Sequence, residues 1–217
     1  MTQALLKTIG IFGGTFDPVH IGHLRTALEL RQLLELDEIR LLPNAQPPHR
    51  EQPCVSAEHR LAMLQIAVDG EPGLAVDDRE LRRTGPSYTI DTLLEVRTEL
   101  GEQVSICLCL GMDSLVALAS WRHWQQLSDL AHIVVAARPG WHLPVSGEVA
   151  DWLVDKVVTD PAALKTRTAG QVFVEELTLL PVSASRIRDD LLAGRSARYL
   201  TPERVIHYID SNKLYVE

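Results

Sequence analysis

Cysteine is scarce in this chain, with three residues in 217, at positions 54, 107 and 109. That count gives no disulfide framework, and the Cys107-Leu-Cys109 spacing is not the C-x-x-C of a redox pair. Both of these cysteines fall in an apolar run, 104–110, where a buried strand would turn them to one side of a core. Basic charge is also short: 21 Lys and Arg stand against 29 Asp and Glu, a formal net charge of −8. With no basic-aromatic run either, a general nucleic-acid binder is disfavoured. No apolar stretch reaches the roughly 18 residues of a membrane span, and the first seven residues form no signal-peptide core. The expectation is a cytoplasmic protein with no membrane partner. Two common phosphate fingerprints are missing as well. There is no G-x-x-x-x-G-K-[ST], and the glycines at 10, 13 and 14 miss the G-x-G-x-x-G spacing.

What is present alternates. Apolar runs at 8–12, 38–42, 74–77, 104–110, 132–137 and 172–180 read as strands. Helical patterns lie at 20–36, 57–68, 89–100, 114–118, 121–127, 185–193 and 202–211. In the first helix Leu24, Ala27, Leu28 and Leu34 recur at helical spacing. Gly101 suits a helix C-terminus, and Thr201-Pro202 suits the cap and first residue of the last helix. Such alternation predicts an α/β, Rossmann-like doubly wound, mostly parallel sheet with helices on both faces. The length suits a single domain, 1–217, with a small helical portion from about residue 183 onward. Residues 43–53 and 138–161 resist assignment, and loops after strand ends are where such folds hold ligands.

The densest local signal is Gly10-Ile-Phe-Gly-Gly-Thr-Phe-Asp-Pro-Val-His-Ile-Gly-His-Leu-Arg25. A strand runs into two glycines, a turn at Asp17-Pro18, and a helix that opens with His20 and His23. Glycine allows close backbone approach to an anion, and a helix start adds N–H donors and a positive dipole end. Histidines there can carry charge near neutral pH. Two histidines three apart also fit zinc, but no third ligand lies near and the glycine setting suits an anion better. A second anion site is expected at Val182-Ser-Ala-Ser-Arg-Ile-Arg188, which follows the last predicted strand and opens a helix. An acidic protein can still offer a locally positive cleft. His20, His23, His49, Arg50, Arg138, Arg186 and Arg188 are the candidates for it.

His20-Ile-Gly-His23 behind G-G-T-F-D-P resembles the first signature of the nucleotidylyltransferase superfamily. Ser183, Ser185, Ile187 and Arg188 resemble its second, S-S-T-x-I-R, with Ala184 replacing the middle serine and Ser185 the threonine. Further matches single out the bacterial nicotinate mononucleotide adenylyltransferases. They are Pro47-Pro-His-Arg50, the Gly85-Pro-Ser-Tyr-Thr-Ile-Asp-Thr-Leu93 helix start, Gly111-Met-Asp113, Trp121 and Arg138-Pro-Gly140. The resemblance spans residues 9 to 208. It implies AMP transfer from ATP to nicotinate mononucleotide, giving deamido-NAD and pyrophosphate in NAD biosynthesis. His20, His23 and Arg188 are then catalytic. Gly13, Gly14, Thr15, Phe16, Gly22, Gly111, Asp113, Ser183, Ser185 and Ile187 bind ATP with them. His49, Thr89, Trp121 and Arg138 bind the acceptor. Magnesium is expected through ATP phosphates and water, with no protein metal site.

Each of these residues also has a plainer use. Trp121 suits a core, Ser87 or Thr89 a helix cap, Asp113 the cap of the next helix, and Arg138 a solvated surface. His59, His123, His132, His142 and His207 match no motif and read as structural. Other acceptors (nicotinamide mononucleotide or phosphopantetheine) and a catalytically silent nucleotide sensor are the competing functions.

Overall fold

A computed structural model describes residues 5–45, 52–137, 140–178 and 180–216. The chain begins β1 (Thr8–Gly14), α1 (Ile21–Leu33), β2 (Glu38–Pro43), α2 (Ala57–Val68), β3 (Leu74–Val76) and α3 (Thr89–Leu100). It continues through β4 (Ser105–Gly111), α4 (Met112–Val116), α5 (Leu127–Leu130), β5 (His132–Ala137), α6 (Glu148–Leu153) and β6 (Val157–Val158). β7 (Val172–Glu176), α7 (Ala184–Leu192) and α8 (Glu203–Ser211) complete it. All six predicted strands form. β6 is a two-residue edge strand, too short to show a period in sequence. α6 and β6 both lie in the stretch that resisted assignment.

The sheet order is β3-β2-β1-β4-β5-β7-β6, and every pairing is parallel. The chain winds outward from β1 to β3, then crosses back to lay β4 on the other side of β1. That reversal opens a crevice beyond the carboxyl ends of β1 and β4, the place where open parallel sheets take ligands. Alternate side chains feed two cores. Ile9, Ile11, Ile106, Leu108, Ile133 and Val135 pack under α3 to α6. Cys107, Cys109, Val134 and Ala136 face the opposite core, which holds residues of α1, α2 and α8. Burial pushes the Cys107 thiol up to about 12, so it packs as a small apolar group.

At the opposite edge from the crevice, Arg97 of α3 donates to the carbonyls of Gly101, Val104, Leu130 and Thr168 at 2.6–3.0 Å. These four carbonyls lie ahead of β4, β5 and β7, so one side chain gathers the entries of three strands. Two local expectations change. The buried face of α1 is Thr26, Ala27, Glu29 and Leu30, with Leu34 just beyond, while Leu24 and Leu28 are only half-buried at its side. Thr201 does not cap α8: Pro202 takes that position, and the Thr201 hydroxyl donates to the Val19 carbonyl at 2.8 Å. That bond fastens the start of α8 to the turn before α1.

Candidate active site

The crevice is a cleft of about 850 Å³ lined by residues 11–17, the end of β1 and the turn beyond it, and by 108–111 at the end of β4. β1 runs two residues further than its apolar pattern, through Gly13 and Gly14. A Cβ on Gly14 would sit 2.9 Å from the Phe16 ring, so glycine there lets the ring fold back on the strand. Phe16 itself takes the left-handed backbone region (φ +49°) and is 1% exposed. Its ring meets His23 edge-on, with centroids 5.0 Å apart. A Cβ on Gly22 would fall 3.0 Å from the His20 ring. Both glycines therefore make room for the side chains that position the histidines.

His20 caps α1, and the pair form a reciprocal capping box. The His23 N–H donates to His20 Nδ1 at 3.4 Å, and the His20 N–H donates to His23 Nδ1 at 3.3 Å. The rings stack with centroids 3.6 Å apart. Because each Nδ1 accepts, the proton of each neutral ring sits on Nε2. Burial pushes the His20 pKa down to about 4, so His20 is a neutral donor at pH 7 rather than a cation. The helix start is also less open than a bare terminus. Leu200 accepts the Ile21 N–H at 3.0 Å, which leaves Gly22 as the uncommitted first-turn donor among the described residues.

The second motif closes on the first. Ser183 caps α7, its Oγ accepting from the Arg186 N–H at 3.2 Å. Arg188 reaches across to the Asp17 carbonyl at 2.7 Å and touches Ser185 Oγ at 3.3 Å. Val182, Ser183, Ala184, Ser185 and Arg188 line the cleft. Two expected residues do not join them. Ile187 is fully buried and its N–H returns to the Ser183 carbonyl. Arg186 lies on the exposed side of the helix.

Across the cleft, α3 begins at Thr89 with Tyr88 in the cap position and no side-chain cap. Ser87 and Thr89 are therefore not capping groups. Thr89 and half-buried Trp121 both line the cleft. Gly111 and Asp113 also line it, and a Cβ on Gly111 would lie 2.5 Å from Asp113 Oδ1. His49, Arg50 and Arg138 lie outside the described residues. Sequence reasoning passed over Arg122, whose guanidinium stacks 4.8 Å above the Tyr88 ring. It also passed over Glu80, which lines the cleft, accepts from Thr92 Oγ1 at 2.7 Å and has its pKa pushed up by burial. No motif marks either. His132 is structural as read, bonded to the Gln171 N–H and the Arg167 carbonyl inside the core.

A cytidylyltransferase-like family model matches residues 11–190. A probable nicotinate-nucleotide adenylyltransferase of Aeromonas salmonicida is 49% identical over 211 residues, 97% of this chain and 98% of that protein. One from Pseudomonas aeruginosa, also described as probable, is 50% identical over 209 residues, with 96% and 97% covered. The solved Plasmodium falciparum nicotinic acid mononucleotide adenylyltransferase complexed with NaAD shares the fold. It superposes with a TM-score of 0.70 at 20% identity, covering 96% of this chain and 97% of that one. By sequence over nearly its whole length, the chain belongs to the cytidylyltransferase-like family and, within it, to the nicotinate-nucleotide adenylyltransferases.

Proposed function

We propose that the protein transfers AMP from ATP to nicotinate mononucleotide, releasing pyrophosphate and forming deamido-NAD. The observation that carries this reading is the Arg188 bond to Asp17, which draws two anion-binding helix starts onto one end of the cleft. The open start of α3, beside Trp121, supplies the other end. A phosphate monoester has a second pKa near 6, so the acceptor is mostly dianionic at pH 7 and needs no protein base. Its oxygen attacks the α-phosphorus in line. The bond to the β-phosphate oxygen breaks, and the electron pair leaves with pyrophosphate. Catalysis is then positioning plus charge stabilisation.

In this reading His20 and His23 donate from Nε2 to the α- and β-phosphates, with the Gly13–Thr15 backbone and Gly22 alongside. Ser183, Ser185 and Arg188 take the β- and γ-phosphates. Asp113 accepts from the ribose hydroxyls beside Gly111. Thr89 and its N–H meet the nicotinate carboxylate and Trp121 stacks on the pyridine ring, while His49 and Arg138 bind the acceptor as the family resemblance implies. Among the described residues no three His, Cys, Asp or Glu side chains gather into a metal site. Mg²⁺ is expected to enter on triphosphate oxygens and water. Bound so, the ion would neutralise charge on the leaving pyrophosphate.

Turnover with Mg-ATP and each of nicotinate mononucleotide, nicotinamide mononucleotide and phosphopantetheine tests the assignment. The highest kcat/KM is expected with nicotinate mononucleotide. A faster reaction with either other acceptor reassigns the substrate, and nucleotide binding without turnover makes the protein a sensor.

A further inference from the structure

Beneath the triphosphate end lies a polar cluster that neither motif accounts for. Asp17 is 4% exposed, and both of its carboxylate oxygens are engaged by distant parts of the chain. Oδ2 accepts from the Cys54 N–H at 2.7 Å, where the chain comes back from the loop after β2. Oδ1 accepts from the Tyr215 hydroxyl at 2.6 Å, in the segment that follows α8. The Arg188 nitrogen that binds the Asp17 carbonyl also lies 3.9 Å from Oδ2. Alongside, buried Arg60 of α2 donates to the carbonyls of Thr15 and Asn44 at 2.8 and 2.7 Å. One carboxylate thus joins the phosphate turn, the chain entering α2, the arginine of α7 and the end of the fold.

Tyr215 is brought there with some effort. Lys213 and Tyr215 both take left-handed backbone angles (φ +51° and +58°), uncommon for side chains of their size. Leu214 between them is seated in the core with Val205 and Ile209. Burial and the neighbouring Asp17 raise the pKa of the Tyr215 hydroxyl, which keeps it a donor. Tyr215 is not among the residues that line the cleft. Its one hydrogen bond to a cleft-lining side chain among the described residues is the one to Asp17.

We propose that Tyr215 is a positioning residue for the nucleotide, holding Asp17 and through it the Arg188 guanidinium in the attitude that meets the triphosphate. This rests on the reading that ATP occupies that end of the cleft. A hydrogen bond to a carboxylate is strong, and its loss leaves a buried charged oxygen short of a partner. Asp17 would then turn toward Arg188 and draw the guanidinium from the site. Coupling of this kind is reciprocal, so nucleotide binding should steady the segment after α8.

Tyr215→Phe removes one oxygen and keeps the ring. The KM for ATP is expected to rise about five- to tenfold while the KM for the acceptor stays within about twofold. An unchanged KM for ATP, or equal rises in both, overturns the proposal. Amide exchange in the wild-type protein gives an independent reading should the variant fold poorly. A non-hydrolysable ATP analogue is expected to slow exchange at residues 214–216 severalfold. Analogue binding, seen by calorimetry, without that slowing overturns the positioning role alone. No binding of the analogue at all overturns the nucleotide site with it.

Discussion

Each of the two motif histidines accepts the other's backbone N–H at Nδ1, which places the proton of a neutral ring on Nε2. Stabilising charge at the α-phosphoryl is a matter of donors already in place, and removing one such donor costs about 10²–10³ in rate. His23→Ala is expected to lower kcat at least about a hundredfold with the far-ultraviolet circular dichroism unchanged. A folded variant of near-normal activity would refute the role. His20 also leaves a thermodynamic signature. Its folded pKa of about 4 lies below the unfolded 6.5, so the unfolded chain takes up the proton first as pH falls. The stability is complete above pH 6.5 and is lost on the way down to pH 4. Between pH 7 and pH 5 the loss is about 2 kcal/mol. His132 shifts the same way, so the measurement compares wild type with His20→Asn, which keeps a capping side chain. Urea titrations should show the variant losing about 2 kcal/mol less over that interval; equal losses would contradict the assignment.

At the scale of elements, the longer and more regular the apolar pattern, the better it could be read. α2, α3 and β5 fall on the predicted residues because each is bounded by a sharp change in pattern. The region after β4 is harder: α4 and α5 are single turns interrupted by 3₁₀ segments at Leu118–Ser120 and Trp124–Gln126. Periodicity needs more than one turn to register. Ile187 was misplaced for another reason. A motif is a string, but a helix distributes its letters around an axis. With Ser183 as cap, Ser185 and Arg188 share one face three residues apart, while Ile187 turns into the core. The uncapped start of α3 makes its own prediction with its neighbour Trp121. Trp121→Ala should raise the KM for the pyridine nucleotide well above any change for ATP, read from initial rates with each substrate varied. Equal effects would argue for packing rather than stacking.

For the molecule as a whole, alternation of strand and helix was enough to expect a ligand site beyond the carboxyl ends of the strands, while the reversal about β1 that fixes its place appears only in the strand order of the fold. Both motifs were legible because each is written in consecutive residues at a helix start. The ties between them were not. Asp17 reads as a turn residue, and nothing in the sequence singles out Arg60 or Tyr215. Only the folded chain brings together partners as much as 198 positions apart.

That separation bears on how the protein is made. Synthesis proceeds from the amino end, so the glycine turn leaves the ribosome ahead of β4, with β2 the first sheet neighbour to reach it. Its other flank needs β4, which begins at Ser105, and the Asp17 carboxylate lacks its last donor until Tyr215 has been added. Nascent chains expose such unfinished surfaces, and domains generally fold as units. The cleft end around Asp17 is therefore completed only after both β4 and Tyr215 have been added, well after the glycine turn itself has been made.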